Sequence, residues 1–319
     1  MRAKLIVNPV SGSDAGADSV QSINRRLREG VSALDIVLTV GEGDAMEAAR
    51  RAAQDGYDHV FVAGGDGTLN ETLNGIASVA GALARITFGL IPLGTGNDFA
   101  AALGVPEDVD AAVDIILDGH TEEVDVGTVN NRSFINVSAG GFLAEVSDAV
   151  DPRLKSMAGK LAYIIGGAEV AWGFEPLRAR IANIQDFTAQ PGGGKPTLAA
   201  AMDLYAFAVC NAPLVGGGRL IAPHARIDDG RLDVCLMSAT STVDFLTLLR
   251  HVSAGEHVDD ERVVYFQARS LELSFDRTIK VNADGQVLEA ARCEYGVLPR
   301  AARFLMPASD MGRPMNEAV

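Results

Sequence analysis

The chain has 319 residues, enough for about two domains at roughly 100–200 residues each. Its 48% hydrophobic and 22% charged content is that of a globular protein and argues against disorder or a fibrous repeat. Lys and Arg total 27 against 42 Asp and Glu, and a net charge of −15 repels nucleic acid and anionic membrane faces alike, so peripheral membrane contact needs a local patch.

Residues 3–7, 35–39, 58–63 and 86–91 are short, apolar and rich in β-branched side chains, and read as buried strands of a parallel sheet. Between them Val20, Ile23 and Leu27, then Ala45, Met46, Ala49 and Ala53, then Leu69, Leu73 and Ile76 fall at helical spacing, as do Val109, Val113 and Ile116 after the fourth strand. This alternation predicts a layered α/β domain over residues 1–125. Beyond it, strand-like runs at Ser133–Val137, Leu204–Val209, Leu232–Met237, Ser270–Phe275 and Thr278–Val281 predict a mainly antiparallel β domain over residues 126–304. Helical stretches are expected at Lys155–Trp172 and Thr242–Ala254, a flexible loop at Gln190–Pro196, and a loose tail in the last dozen residues.

Cys210, Cys235 and Cys293 are odd in number and widely spaced, which fits a reduced compartment better than a disulfide framework or a zinc site. With no signal-peptide core at the start and no run of ~20 apolar residues, a cytoplasmic location is expected.

The glycines carry the functional signal. Each predicted strand of the first half runs into a loop that opens a helix: Asn8–Gly12, Thr39–Asp44, Gly64–Thr68 and Pro92–Asp98. In a parallel sheet these four carboxyl ends share one edge, where open α/β folds bind ligands. One such loop alone is a tight turn with Thr68 or Asn97 as a helix cap. Four together line a crevice with backbone N–H groups and helix N-termini, a surface suited to phosphate. None is a dinucleotide fingerprint or a P-loop, and none contains Lys or Arg, whereas Asp44, Asp66 and Asp98 sit among them. An anion held without cationic side chains calls for backbone dipoles and Mg²⁺.

Gly-Gly-Asp-Gly-Thr at 64–68 with Leu-Asn-Glu at 69–71, and Pro-Leu-Gly-Thr-Gly-Asn-Asp-Phe-Ala at 92–100, resemble the diacylglycerol kinase catalytic family, in particular soluble bacterial lipid kinases of the YegS/BmrU type. Phe134–Phe142, Gly159–Tyr163, Gly216–Pro223, Asp228–Asp233 and Asp284-Gly-Gln-Val extend the likeness over residues 3–307. The resemblance implies ATP on the α/β domain, a β-sandwich second domain on the acceptor side of a cleft, and a C-terminal tail from about 305 returning to the first domain. By position it implies nucleotide contacts from Asn8, Thr39, Gly64, Gly65, Asp66, Gly67, Thr68, Asn70, Gly94, Thr95, Asn97 and Asp98. It further implies Asp284 as proton acceptor, Asp66 as a second catalytic group, and a structural Mg²⁺ on Asp229 with the carbonyls of Arg226 and Arg231, linked through water to Asp125. The partners are then ATP and a lipid with a free hydroxyl, and a homodimer is left open.

Phosphoryl transfer needs positioning, charge neutralisation and one carboxylate for the acceptor proton, and Asp284 suits the last role, although Asp-Gly is also an ordinary hairpin signal. Gln286 stands where the family usually has Glu, and His224 where it often has an acid. Gln286 leaves room for a catalytically weak nucleotide- or lipid-binding regulator, and the Gly-Gly-Asp-Gly loop alone would also fit an NAD kinase. Trp172 and Phe174 read as a core aromatic pair, and Phe142 as either a hydrophobic plug or a wall of the acceptor cleft.

Overall fold

A computed structural model describes residues 2–11, 17–149, 174–189, 201–239 and 241–308. The helix expected at Lys155–Trp172, the Gly159–Tyr163 match, the loop at Gln190–Pro196 and the tail beyond residue 308 lie outside them. The chain divides into one unit of residues 1–126 and 299–319 and another of 127–298.

In the first unit, strands β1 (Arg2–Val7), β2 (Ala33–Leu38), β3 (His59–Gly64) and β4 (Thr87–Pro92) alternate with helices α1 (Ala17–Gly30), α2 (Asp44–Gln54) and α3 (Asp66–Ala77). Short α4 (Asp98–Ala102) and α5 (Val109–Asp118) then lead to β5 (Thr121–Val129). All pairings β2–β1, β1–β3 and β3–β4 are parallel. The strand order 2-1-3-4 means that the connection after β1 moves one way across the sheet and those after β2 and β3 move the other way. Right-handed crossovers therefore place α1 on one face and α2 and α3 on the other. Ile23 and Leu27 of α1 share a core with Val113 and Ile116 of α5, Leu5 and Val7 of β1, and Leu305. On the other face, α2 and α3 approach so closely that a Cβ on Gly75 would lie 2.2 Å from the Met46 carbonyl oxygen.

The second unit carries β6 (Arg132–Phe134), β7 (Val137–Gly141), α6 (Phe142–Ala149), β8 (Leu177–Gln185), β9 (Thr188–Ala189), β10 (Met202–Leu204), β11 (Ala206–Cys210), β12 (Leu214–Val215), β13 (Arg219–Leu220) and β14 (Leu232–Met237). Helix α7 (Thr242–Val252), a 3-10 turn at Glu256–Asp259, and β15 (Val263–Ala268), β16 (Ser270–Ala283) and β17 (Gln286–Leu305) complete it. Strands β17, β16, β7, β11, β14 and β15 are neighbours in that order and pair antiparallel within this unit. The runs at Ser270–Phe275 and Thr278–Val281 belong to one strand, irregular between Ser274 and Ile279 where its pairing with β17 shifts register. The 20-residue β17 begins in this unit, and its end pairs parallel with β4 in the first unit. Phe142 is buried against Phe174 and Phe245, so of its two readings the plug is the one observed. Among the described residues no helix is long and apolar enough to cross a membrane.

Candidate functional site

The direction of the crossovers reverses between β1 and β3, and a parallel sheet opens a crevice at such a point, beyond the carboxyl ends of its strands. Asn8 at the end of β1 and Thr68 in the first turn of α3 span this point, with Asn8 Nδ2 donating to Thr68 Oγ1 at 3.3 Å. Thr39 is fixed beside them by its N–H bond to the Val7 carbonyl, 2.9 Å. Its side chain is buried, as are those of Thr68 and Asn70, whereas Gly67 and Thr95 are exposed. Asn70 points its carboxamide along α3, where its oxygen accepts from Asn74 at 3.2 Å.

The third and fourth glycine loops are built into each other. The Gly94 N–H donates to Asn97 Oδ1 at 2.9 Å and Asn97 Nδ2 returns a bond to the Gly94 carbonyl at 2.8 Å, which holds Asn97 at a left-handed φ of 52°. Gly94 then lies so near Gly65 that a Cβ on it would fall 2.5 Å from the Gly65 Cα. Asp66 closes the junction by accepting from the Asp98 N–H at 3.0 Å and the Phe99 N–H at 3.1 Å, capping α4 across 32 residues of sequence. Glu71, which sequence reasoning passed over, does the same for α2, accepting from the Gly43 and Ala45 N–H groups at 3.0 and 3.2 Å. Asp44 accepts from Val40 and Gly41 in its own loop. The carboxylates of Asp44, Asp66 and Glu71 are thus bonded to backbone donors, each stabilised by the positive end of a helix or a turn. The outcome is a rigid set of loops whose shape depends on glycine at the closest approach.

Asp284 lies in the second unit, in the turn between β16 and β17, at a left-handed φ of 48° and only 8% exposed. Its carboxylate accepts from three consecutive backbone N–H groups, Ile135 at 2.5 Å, Asn136 at 3.1 Å and Val137 at 2.8 Å. The Asp284 N–H returns a bond to the Val137 carbonyl, 3.0 Å, and Asn211 Nδ2 holds the Ile135 carbonyl from the other side at 2.8 Å. Gly285, at φ 91°, allows the turn and donates to Asn282 Oδ1. Two residues on, Gln286 Oε1 accepts from the exposed Arg132 guanidinium at 3.0 Å. Neither Asn211 nor Arg132 was a candidate from sequence, because each is brought to the turn by strand pairing.

Asp229, Arg226 and Arg231 share one loop before β14. Asp229 Oδ1 accepts the Arg231 N–H at 3.0 Å, and its Oδ2 accepts from Gln267 Nε2 at 3.3 Å. The Arg226 side chain bonds Asp228, and that of Arg231 reaches the Asp186 carbonyl and Thr188 Oγ1. One carboxylate with backbone carbonyls is an all-oxygen set suited to a hard divalent cation. Among the described residues no group of three or more His, Cys, Asp or Glu could hold a metal ion. Behind it Asp233 is pushed up to about 7, first by burial and also by the Asp229 charge, against hydrogen bonds from Tyr265 and Gln267 that lower it. Asp125 is fully buried in the first unit and accepts the Arg300 N–H at 2.7 Å. His224 is exposed, its ring edge-on to Tyr265.

Residues 2–129 match the model of the diacylglycerol kinase catalytic domain, and residues 136–306 that of the YegS C-terminal NAD kinase beta sandwich-like domain. A diacylglycerol kinase of Bacillus subtilis (strain 168) is 31% identical over 307 residues, 96% of each chain. One from Staphylococcus haemolyticus (strain JCSC1435) is 35% identical over 284 residues, 89% of this chain and 82% of that one. The fold is shared with a crystal structure of a diacylglycerol kinase from Bacillus anthracis str. Sterne, at a TM-score of 0.71 and 22% identity over 96% and 97% of the two chains. Two family models that together span both halves, and relatives aligned along nearly the whole length, agree with the glycine-loop architecture. The chain is therefore a member of the diacylglycerol kinase family of lipid kinases.

Proposed function

We propose that this chain transfers the γ-phosphoryl group of ATP to the free hydroxyl of a lipid, in a reaction that requires Mg²⁺. The observation that carries this reading is the interlocked pair of glycine loops, Gly64–Thr68 and Gly94–Asp98. Asp66 of the first loop is bonded to α4, and exposed Gly67 leaves helix-start backbone open to a phosphate. Asn8, Thr39, Gly64, Gly65, Gly67, Thr68, Gly94, Thr95 and Asn97 form the nucleotide surface. Asp66, Asn70 and Asp98 shape it from behind, so Asp66 acts as a positioning residue.

Asp284 is the group that receives the acceptor proton. Three backbone donors fix its carboxylate in one orientation. A carboxylate held in place suits a loose transition state in which the hydroxyl needs orientation first and gives up its proton late. Asp229 with the Arg226 and Arg231 carbonyls would hold a Mg²⁺ that braces the second unit's loop, and Mg²⁺ carried with the nucleotide would supply neutralisation of phosphate charge. Gln286 leaves the Arg132 guanidinium paired with a neutral carboxamide, while Asp284 is held by backbone donors. That favours an active enzyme over a regulator that has lost turnover.

The test is Mg²⁺-dependent transfer of labelled phosphate from ATP into a mixed lipid extract in detergent micelles, with Asp284→Asn beside the wild type. A phosphorylated lipid formed by the wild type alone is the expected result. No product from a wild type that binds ATP would overturn the kinase reading for the lipids in the extract, and equal product from both proteins would remove Asp284 as the base.

A further inference from the structure

A chain of hydrogen bonds runs from the interior of the second unit to the Asp229 loop. The Tyr265 hydroxyl, on a fully buried side chain of β15, donates to Asp233 Oδ1 at 2.6 Å. Gln267, two residues along the same strand and therefore on the same face, donates from one Nε2 to Asp233 Oδ2 at 3.0 Å and to Asp229 Oδ2 at 3.3 Å. Asp233 is 1% exposed and Gln267 7% exposed, so neither has bulk water to substitute for a lost partner. Both stand on a rigid ladder, since Asp233 of β14 is directly paired with Gln267 of β15.

Two carboxylates so close repel each other, and a neutral amide with two N–H donors is the side chain that can hold both without adding charge. Gln267 meets that need at one Asp229 oxygen, while the Arg231 N–H holds the other. These bonds hold the carboxylate in one orientation before any cation arrives. Partners that orient a ligand in this way typically contribute about 10–100-fold to metal affinity.

We infer that Gln267, anchored through Asp233 and Tyr265, is a positioning residue that presents the Asp229 carboxylate to a divalent cation. This inference rests on the proposal that Asp229 is a cation ligand. Glutamate at 267 would put a third carboxylate into the same pocket, and leucine would leave Asp229 free to rotate and one Asp233 oxygen without its donor.

The experiment is Mn²⁺ titration of the full chain without nucleotide, followed by the electron paramagnetic resonance signal of the free ion, for wild type, Asp229→Asn, Gln267→Leu and Tyr265→Phe. Thermal midpoints are measured in parallel with and without the ion. The expected result is one wild-type site that Asp229→Asn abolishes and Gln267→Leu weakens by about 10–100-fold. The metal-induced rise in midpoint shrinks in step with the loss of affinity. Tyr265→Phe removes one hydroxyl and no carbon, so it keeps the test available if Gln267→Leu fails to fold, and it is expected to weaken the site in the same direction. Wild-type affinity in Gln267→Leu, or in Tyr265→Phe where only that variant folds, would overturn the inference and leave Asp229 as a ligand. A wild type with no Asp229-dependent site would overturn the cation reading of the loop, and the inference with it.

Discussion

Gly67→Ala separates the role of the glycine loops in folding from their role in binding. Gly67 lies in the first turn of α3 and is exposed, and a Cβ built on it meets nothing within 4 Å. Its φ is not left-handed, so alanine carries no backbone strain there. In a helix, Gly→Ala is worth up to about 1 kcal/mol, because alanine has less backbone freedom to lose. The midpoint of thermal unfolding should therefore rise by about 1–4 °C. If the open space above Gly67 is where the ATP phosphates lie, the added methyl pushes them out by about the difference between a Cα and a Cβ surface, near 1 Å. A displacement of that size typically costs about 100-fold in turnover. Isothermal titration with ATP and kcat/KM for ATP read the effect directly. A variant that is more stable than wild type and binds and uses ATP as well as wild type would refute the placement of the phosphates over α3. Gly94→Ala is the contrasting change, because its Cβ would sit 2.5 Å from the Gly65 Cα and 2.7 Å from Asn97 Oδ1. The two loops must then part by about 1 Å, with a loss of about 1–3 kcal/mol of stability together with ATP affinity.

Asp284→Asn should lower kcat by about 100- to 10,000-fold with ATP affinity retained, as measured by lipid-dependent ADP release. It should also destabilise the second unit by about 1–3 kcal/mol in denaturant titration, since an amide nitrogen cannot accept the N–H bonds that the carboxylate takes from Ile135–Val137. Gln286→Glu gives the exposed Arg132 a charged partner in place of a carboxamide. The midpoint should shift by the equivalent of less than about 1 kcal/mol, and any gain should vanish in high salt. Burial raises the thiol pKa of Cys210, Cys235 and Cys293, the last to about 11, and none of the three is exposed. A thiol-disulfide reagent at pH 8 should find no fast-reacting cysteine in the native protein and three after unfolding. A fast native reaction would mean that one of these strands opens.

The first unit was legible because its chemistry is local. Buried parallel strands announce themselves as unbroken apolar runs, helices as three-and-four spacing, and each glycine loop lies where one period gives way to the other. Strands β8 and β17 escaped notice for the opposite reason. In β8 the buried residues alternate with Arg178, Arg180 and other half-exposed positions over only nine residues. In β17 the run Glu289-Ala-Ala-Arg-Cys-Glu294 carries the alanines and charges of a helix, and long-range pairing with β16 and β4 overrides that propensity. Residue identities at the site could likewise be picked out, but their duties could not. Whether Asp66 serves the nucleotide directly or caps a helix depends on α4, 32 residues away, and the setting of Asp284 depends on amides 147 to 149 residues away. Sequence by itself determined which chemical groups are present and which loops they open. Only the tertiary structure decided which carboxylate faces which backbone donor, because strand order and crossover direction set those partners and no pattern along the chain records them.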